Sequence, residues 1–274
     1  MKKLITSDDL VRYLKWSPIT KPILGLALGI MGFRKVNRLY SPSADLKNRE
    51  FTEDMLRRYN TTYDVSENEL SSIPKEGPFI LVCNHPFGAI EGIILYDAVA
   101  RVRHDFKIMA NFILSYIPNL KDVFFAVNPF ENNPEWGGGS VSGIKASIQQ
   151  LSDGHGLGVF PAGEVARYHG HSYPEDIAWS PSISKIIKKM KVPVIPVYFD
   201  GNNSRKFYFW AKIYSLFGTM RLVREMLNKR NKKIIMKIGK PILPMEIAQY
   251  ETPEALSAYL RSRSYALQAN ISTE

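Results

Sequence analysis

His85 and Glu91 are the pair in this chain best suited to moving a proton. The histidine follows the apolar run Phe79-Ile80-Leu81-Val82-Cys83, and the carboxylate comes six residues later with Pro86 and Gly88 between them. An unperturbed imidazole titrates near pH 6.5, so its neutral form can take a proton from a hydroxyl at cellular pH. A carboxylate beside it fixes the tautomer and stabilises the imidazolium that forms. On a regular helix, positions six apart lie about 240° around the axis. Only a turn brings Glu91 back to the ring, and Pro86 and Gly88 are turn residues. The same stretch also has a plain structural use: Asn-His-Pro is an ordinary strand exit, and an acidic residue suits the first turn of a helix.

The elements that must hold this pair follow from the pattern of apolar residues. From Pro74 onward, short β-rich runs at 79–83, 106–110, 123–127, 157–161, 193–199 and 234–238 alternate with helical stretches at 90–102, 140–151 and 181–190. That alternation predicts an α/β fold with a largely parallel central sheet flanked by helices. The carboxyl ends of parallel strands share one edge. Polar or glycine-rich punctuation recurs at these ends: Asn111 after the second run, Asn128-Pro129 after the third, Phe160-Pro161-Ala162-Gly163-Glu164-Val165 after the fourth and Asp200-Gly201-Asn202-Asn203-Ser204 after the fifth. These segments can converge with His85 on one crevice, although each taken singly is ordinary turn chemistry. Residues 1–70 read as helical over 8–16, 22–38 and near 51–59, punctuated by Pro18, Pro22 and Pro42. The expected division is a helical, membrane-associating segment at 1–70 and an α/β domain at 71–274.

Composition narrows the partners. A net charge of +10 calls for an acidic partner or surface. Zinc-ligand spacing, a helix-turn-helix signature and aromatic RNA-binding motifs are all missing, so nucleic acid is not expected. Anionic lipid and acidic carrier proteins are the remaining candidates. The longest uncharged apolar stretch, Pro22 to Phe33, has 12 residues, against roughly 20 for a bilayer span. It reads either as a buried helix or as an interfacial one whose flanking Lys21, Arg34, Lys35 and Arg38 reach lipid headgroups. Aromatic and basic residues also mix from Lys206 to Phe217, and 229–233 is a basic run. The single cysteine, Cys83, suits a reducing compartment and sits within an apolar strand. The expected location is the cytoplasmic face of a membrane, peripheral or monotopic.

Taken together, Asn84-His85-Pro86-Phe87-Gly88-Ala89-Ile90-Glu91-Gly92, Phe160-Pro161-Ala162-Gly163-Glu164-Val165, Asp176-Ile-Ala-Trp179, Val192-Pro-Val-Ile-Pro-Val197 and Gly201-Asn-Asn203-Ser204 stand in a recognisable order. The set resembles the glycerolipid and lysophospholipid acyltransferase superfamily, and within it the bacterial branch that carries a hemolysin label and is related to O-acyltransferases of ornithine and glycine lipids. The resemblance covers about residues 70–240. It implies His85 and Glu91 as catalytic residues. For substrate binding it implies Asn84, Phe87, Gly88, Gly92, Asn111, Asn128, Phe160, Pro161, Gly163, Glu164, Arg167, Asp176, Trp179, Asn203 and Ser204.

Three departures from the superfamily pattern stand out. Its histidine–aspartate motif appears with glutamate and one more residue of spacing. Ala162 stands where the main superfamily has glutamate, so the usual role of that residue does not pass to Glu164. The arginine that often meets a glycerol phosphate is missing, with Asn128 near its place and Arg167 a loose substitute. This favours a hydroxylated acyl-amino-acid lipid over a phosphate-bearing acceptor.

The resemblance implies acyl transfer from an acyl carrier protein or coenzyme A thioester to a lyso-lipid hydroxyl, with no bound cofactor and no metal. His85 would be the general base and Glu91 its orienting partner. Backbone N–H groups near Gly163 would face the tetrahedral oxyanion. Lysophospholipid or glycerol-phosphate acylation, a non-catalytic membrane-binding protein and a hydrolase stay open as alternatives. For the hydrolase, no Gly-X-Ser-X-Gly elbow is present. His169 and His171 form a His-X-His pair with no third ligand in view.

Overall fold

A computed structural model describes residues 2–14, 17–111, 117–127, 139–170, 172–213 and 215–271. The chain forms two compact units, one of Tyr63–Asn202 with Lys233–Glu274 and one of Met1–Thr62 with Asn203–Lys232. The units divide between Thr62 and Tyr63, where the sequence led to an expected boundary between 70 and 71. The helical unit is not N-terminal alone, because 203–232 returns to it.

The strands are β1 (Thr62–Asp64), β2 (Phe79–Cys83), β3 (Lys107–Asn111), β4 (Phe124–Val127), β5 (Gly156–Val159), β6 (Val194–Phe199) and β7 (Lys233–Ile238). They form one sheet in the order β1-β7-β6-β2-β5-β3-β4. β2 runs parallel to both β5 and β6, and β3 runs parallel to β4 and β5. The mostly parallel α/β sheet expected from the sequence is present. β7 departs from it, pairing antiparallel with β6.

β2 is buried along its whole length. A strand covered on both faces needs a continuous apolar run rather than alternation, which is how Phe79–Cys83 reads. Its neighbour β5 carries Gly156 and Gly158 on one face. A Cβ at Gly156 would stand 2.5 Å from Phe79 Cζ, and one at Gly158 would stand 2.7 Å from Phe106 Cζ. The two glycines thus make room for the stacked rings of Phe79 and Phe106, 6.1 Å apart. On a core with Ile80, Val82, Leu157 and Val194 pack Ile187 of the helix Pro181–Met190 and Leu256 and Leu260 of the helix Pro253–Tyr265. The helix Ile90–Val99 is buried at every residue.

In the helical unit, the single helix expected over 22–38 is two, Lys21–Ile30 and Phe33–Tyr40. Gly32 breaks it at φ +93°, a conformation that costs other residues about 1 kcal/mol or more. A buried carboxylate, Asp54, gathers Ser43, Arg57 and Arg58 there. Ile19, Ile23, Leu26 and Ile30 lie exposed at helical spacing. Among the described residues no helix is long and apolar enough to cross a membrane.

Candidate active site

β2 ends at Cys83, and the chain then turns into the helix Ile90–Val99 through Pro86 and Gly88, the latter at φ +96°. Glu91 lies in the first turn of that helix and folds back over the loop. Its Oε1 accepts the N–H groups of Phe87 at 2.8 Å and Gly88 at 2.6 Å, and its Oε2 accepts that of Ala89 at 2.9 Å. The carboxylate is 0% exposed. Three backbone donors and the helix N-terminus replace the water it has lost.

The same Oε1 stands 3.0 Å from Nδ1 of His85. The approach is oblique to the ring N–H and gives no straight hydrogen bond, so charge attraction dominates the contact. Burial alone would push the His85 pKa down, but the charge and proximity of Glu91, helped by Asp176, carry it above the ordinary histidine value. Burial likewise pushes Glu91 up, and the His85 charge, the His85 contact and the loop N–H groups outweigh it and hold the carboxyl below its usual range. The result is a histidine–carboxylate pair in which Glu91 is buried, the His85 side chain stays 18% exposed and Nδ1 is turned to Glu91. The neighbouring thiol of Cys83 is fully buried. Burial, then the negative charges of Glu91 and Asp176, push it up, which is the reverse of what a nucleophilic cysteine needs.

The backbone of His85 is held from both sides. Its N–H donates to Asp176 Oδ1 at 3.0 Å, and its carbonyl accepts the N–H of Ala166 at 2.9 Å. The ring packs on Phe160 with centroids 4.7 Å apart. Asn84, one residue earlier, uses its amide to join β2 to β6. Nδ2 donates to the Phe199 carbonyl at 3.0 Å, and Oδ1 accepts the Phe199 N–H at 2.7 Å. A model of the protein family described as Acyltransferase matches residues 30–273. The chain belongs to that family.

Two curated relatives of this acyltransferase are named lyso-glycine lipid O-acyltransferase. The one from Bacteroides thetaiotaomicron is 27% identical over 85% of this chain and 85% of its own. The one from Phocaeicola vulgatus is 27% identical over 72% of this chain and 71% of its own. The crystal structure of the 1-acyl-sn-glycerophosphate acyltransferase of Thermotoga maritima shares the fold, with a TM-score of 0.52 and 20% identity over 90% of this chain and 87% of that one.

The other residues singled out in the sequence of the acyltransferase fall into distinct groups. Phe160 meets the His85 ring, whereas the carbonyl of Pro161 accepts the N–H of Ser180 at 2.9 Å. The N–H of Gly163 donates to the Phe160 carbonyl at 3.0 Å and closes that turn. Gly92 has Phe160 Cε2 at 3.9 Å from where a Cβ would stand, an ordinary contact. Glu164 and Arg167 pair with each other at 3.1 Å. Asn111 ends β3, and Asn128 and His171 lie outside the described residues.

Asn203 and Ser204 belong to the helical unit. Ser204 Oγ accepts the N–H of Phe207, capping the helix Arg205–Ile213, and donates to Glu225. Asn203 Oδ1 accepts from Lys229 Nζ at 3.1 Å, so this member of the basic run is buried rather than turned to a partner. His169 lies on a cavity of about 630 Å³ with Asp176, Trp179 and Arg261, whose lining includes neither His85 nor Glu91. Among the described residues no group of three or more His, Cys, Asp or Glu is placed to hold a metal ion.

Two residues around the pair were not singled out in the sequence, Tyr265 and Arg261 on the helix Pro253–Tyr265. The Tyr265 hydroxyl accepts the Asp176 N–H at 2.8 Å, and Arg261 Nη2 donates to the Asp176 carbonyl at 2.8 Å. The helix itself was signalled by Thr252-Pro253-Glu254, a cap, a proline at the first position and an acid in the first turn.

Proposed function

We propose that the protein moves a fatty acyl group from an acyl carrier protein or coenzyme A thioester to the hydroxyl of a lyso-lipid with an amino-acid head group of the glycine or ornithine type. The observation that carries this reading is the 3.0 Å approach of His85 Nδ1 to Glu91 Oε1. With Nδ1 turned to the carboxylate, Nε2 is the nitrogen left to take the acceptor's hydroxyl proton as the oxygen attacks the thioester carbonyl. The tetrahedral intermediate collapses with loss of thiolate, and the imidazolium returns the proton to the sulfur. The activated thioester makes a covalent enzyme intermediate unnecessary.

The names of the two relatives and the missing phosphate-binding arginine support the amino-acid head group. A place on the cytoplasmic face of the membrane is supported by the exposed Ile19, Ile23, Leu26 and Ile30 beside exposed Lys21, Arg34 and Lys35, with a net charge of +10 drawing the protein to anionic lipid.

The test is incubation of purified protein with a thioester of acyl carrier protein or coenzyme A that bears a labelled acyl group and, in parallel, lyso-glycine lipid, lyso-ornithine lipid and lysophosphatidate. Labelled diacyl amino-acid lipid is the expected product. Turnover of lysophosphatidate alone would move the acceptor to glycerol phosphates, and release of free fatty acid without acceptor-dependent product would make the protein a hydrolase.

A further inference from the structure

Asp176 is expected from the resemblance to touch substrate, yet its polar atoms are engaged elsewhere. Oδ1 accepts the backbone N–H of His85 at 3.0 Å, and Oδ2 accepts the indole N–H of Trp179 at 2.8 Å. Its own N–H donates to Tyr265 Oη at 2.8 Å, and its carbonyl accepts from Arg261 Nη2 at 2.8 Å. The residue is 2% exposed. The clamp is itself braced. Arg261 Nη2 also donates to Glu175 Oε2 at 2.6 Å, its guanidinium lies 4.5 Å over the Tyr265 ring, and that ring meets Tyr198 of β6 edge-on at 5.6 Å. Asp176 borders the cavity lined by His169, Trp179 and Arg261, but each of its carboxylate oxygens and both of its backbone groups already has a partner inside the protein.

We propose that Asp176 is a positioning residue for His85, held on the strand exit by Tyr265 and Arg261 of the C-terminal helix, and that this clamp, rather than substrate contact, is the purpose of the Asp-X-X-Trp motif. The inference rests on His85 being the base. The clamp acts on the one backbone N–H that sets where the imidazole begins. Misplacing a reacting group by about 1 Å costs on the order of 100-fold in rate. Asp176 also adds negative charge near the imidazole. The charged and titratable groups around His85 and Asp176 are Glu91 on the following helix, Cys83 at the end of β2, Glu175 on the Asp176 loop, Arg261 and Tyr265 on the C-terminal helix, and Tyr198 of β6, which has Asp200 beside it.

The test is steady-state kinetics against pH for wild type, His85→Ala, Asp176→Asn, Asp176→Ala and Tyr265→Phe, with the acyl thioester and the best lyso-lipid from the acceptor panel. Asn keeps an oxygen for the His85 N–H and loses the charge, whereas Ala loses both. Asp176→Ala is expected to lower kcat by about 10- to 100-fold with KM for both substrates within about 3-fold. Asn is expected to recover part of kcat and to move the acid limb of the pH profile to lower pH. Tyr265→Phe leaves the carboxylate in place, touches no substrate-facing atom and guards against a misfolded Asp176 variant. It is expected to lower kcat several-fold without moving KM. A rise in KM at full kcat in the Asp176 variants would assign Asp176 to substrate, and unchanged kcat and pH limb in Asp176→Asn and Tyr265→Phe would remove the clamp. If His85→Ala keeps full activity, the reading of His85 as base fails first; a dead His85→Ala beside fully active Asp176 and Tyr265 variants refutes the clamp alone.

Discussion

Oε1 of Glu91 stands 3.0 Å from Nδ1 of His85 while accepting the N–H groups of Phe87 and Gly88. One carboxylate therefore shapes the loop that carries the histidine and raises the pKa of its ring. Loss of Glu91 has two separable consequences. Glu91→Gln keeps the side chain's length and one oxygen, and should lower kcat by about 100-fold or more while the protein stays folded. Glu91→Ala leaves the three loop N–H groups unpaired and should cost on the order of 3 kcal/mol in urea unfolding as well. Equal stability of the two variants would separate the carboxylate from the loop.

The pair also fixes the sign of the pH response. His85 must be neutral to act as a base, and its pKa is raised, so kcat/KM should rise with pH and reach half its plateau above about 6.5. Stability runs the other way. A raised histidine contributes stability that is complete below about pH 6.5 and is lost as pH rises through its folded value, whereas the lowered Glu91 contributes stability present above about pH 4.3 and lost as pH falls through its own. Replacing Glu91 by Gln removes the group that raises His85 and should shift the activity limb to lower pH. A limb that stays put in Glu91→Gln would mean another group titrates there.

Asn84 is buried and bonded through both ends of its amide to Phe199. Asn84→Ala strands a buried N–H and a carbonyl between β2 and β6 and should destabilise the α/β unit by about 2–4 kcal/mol. Thermal unfolding checks this; an unchanged Tm with a raised KM would return Asn84 to the substrate.

Gly156 and Gly158 tell how tightly the sheet under the site is packed. Alanine at either meets a phenyl ring at under 3 Å, and overpacking of this kind costs about 1–3 kcal/mol. Both substitutions should lower the urea midpoint, and tolerance of alanine at both would show that the Phe79 and Phe106 rings can move aside.

The exposed isoleucine stripe gives a prediction away from the chemistry. Replacing Ile23 and Leu26 by serine removes two side chains, each worth about 1.5–3 kcal/mol when fully buried in an apolar phase. The variant should bind vesicles containing anionic lipid at least 10-fold more weakly, with wild-type binding itself falling as salt rises. Sedimentation with vesicles reads both, and equal binding by the variant would place the lipid-facing surface elsewhere.

Much of this architecture was legible from residue order, for reasons that also explain the gaps. β2 was read at 79–83 because a strand buried on both faces is a bare apolar run, and Pro86 with Gly88 announced the turn that brings Glu91 back. The fourth apolar run extends two residues beyond its strand, since Phe160 and Pro161 are apolar yet already belong to the turn closed by Gly163. The direction of β7 leaves no trace in its own apolar pattern. β1 is three residues long, too short to show a period. The clamp on His85 joins residues separated by 91 and 89 positions, contacts that no local periodicity encodes. The family motifs named Asp176 and Trp179 without revealing that the carboxylate joins the Trp179 indole to the His85 backbone.

The most direct measurement is acyl transfer from labelled thioester to lyso-glycine lipid by wild type and His85→Ala, compared at equal concentration and with matching thermal unfolding. If His85 is the general base, kcat should fall by about 100-fold or more in the variant, with its fold and its vesicle binding unchanged. Wild-type kcat in His85→Ala would contradict the mechanism at its centre.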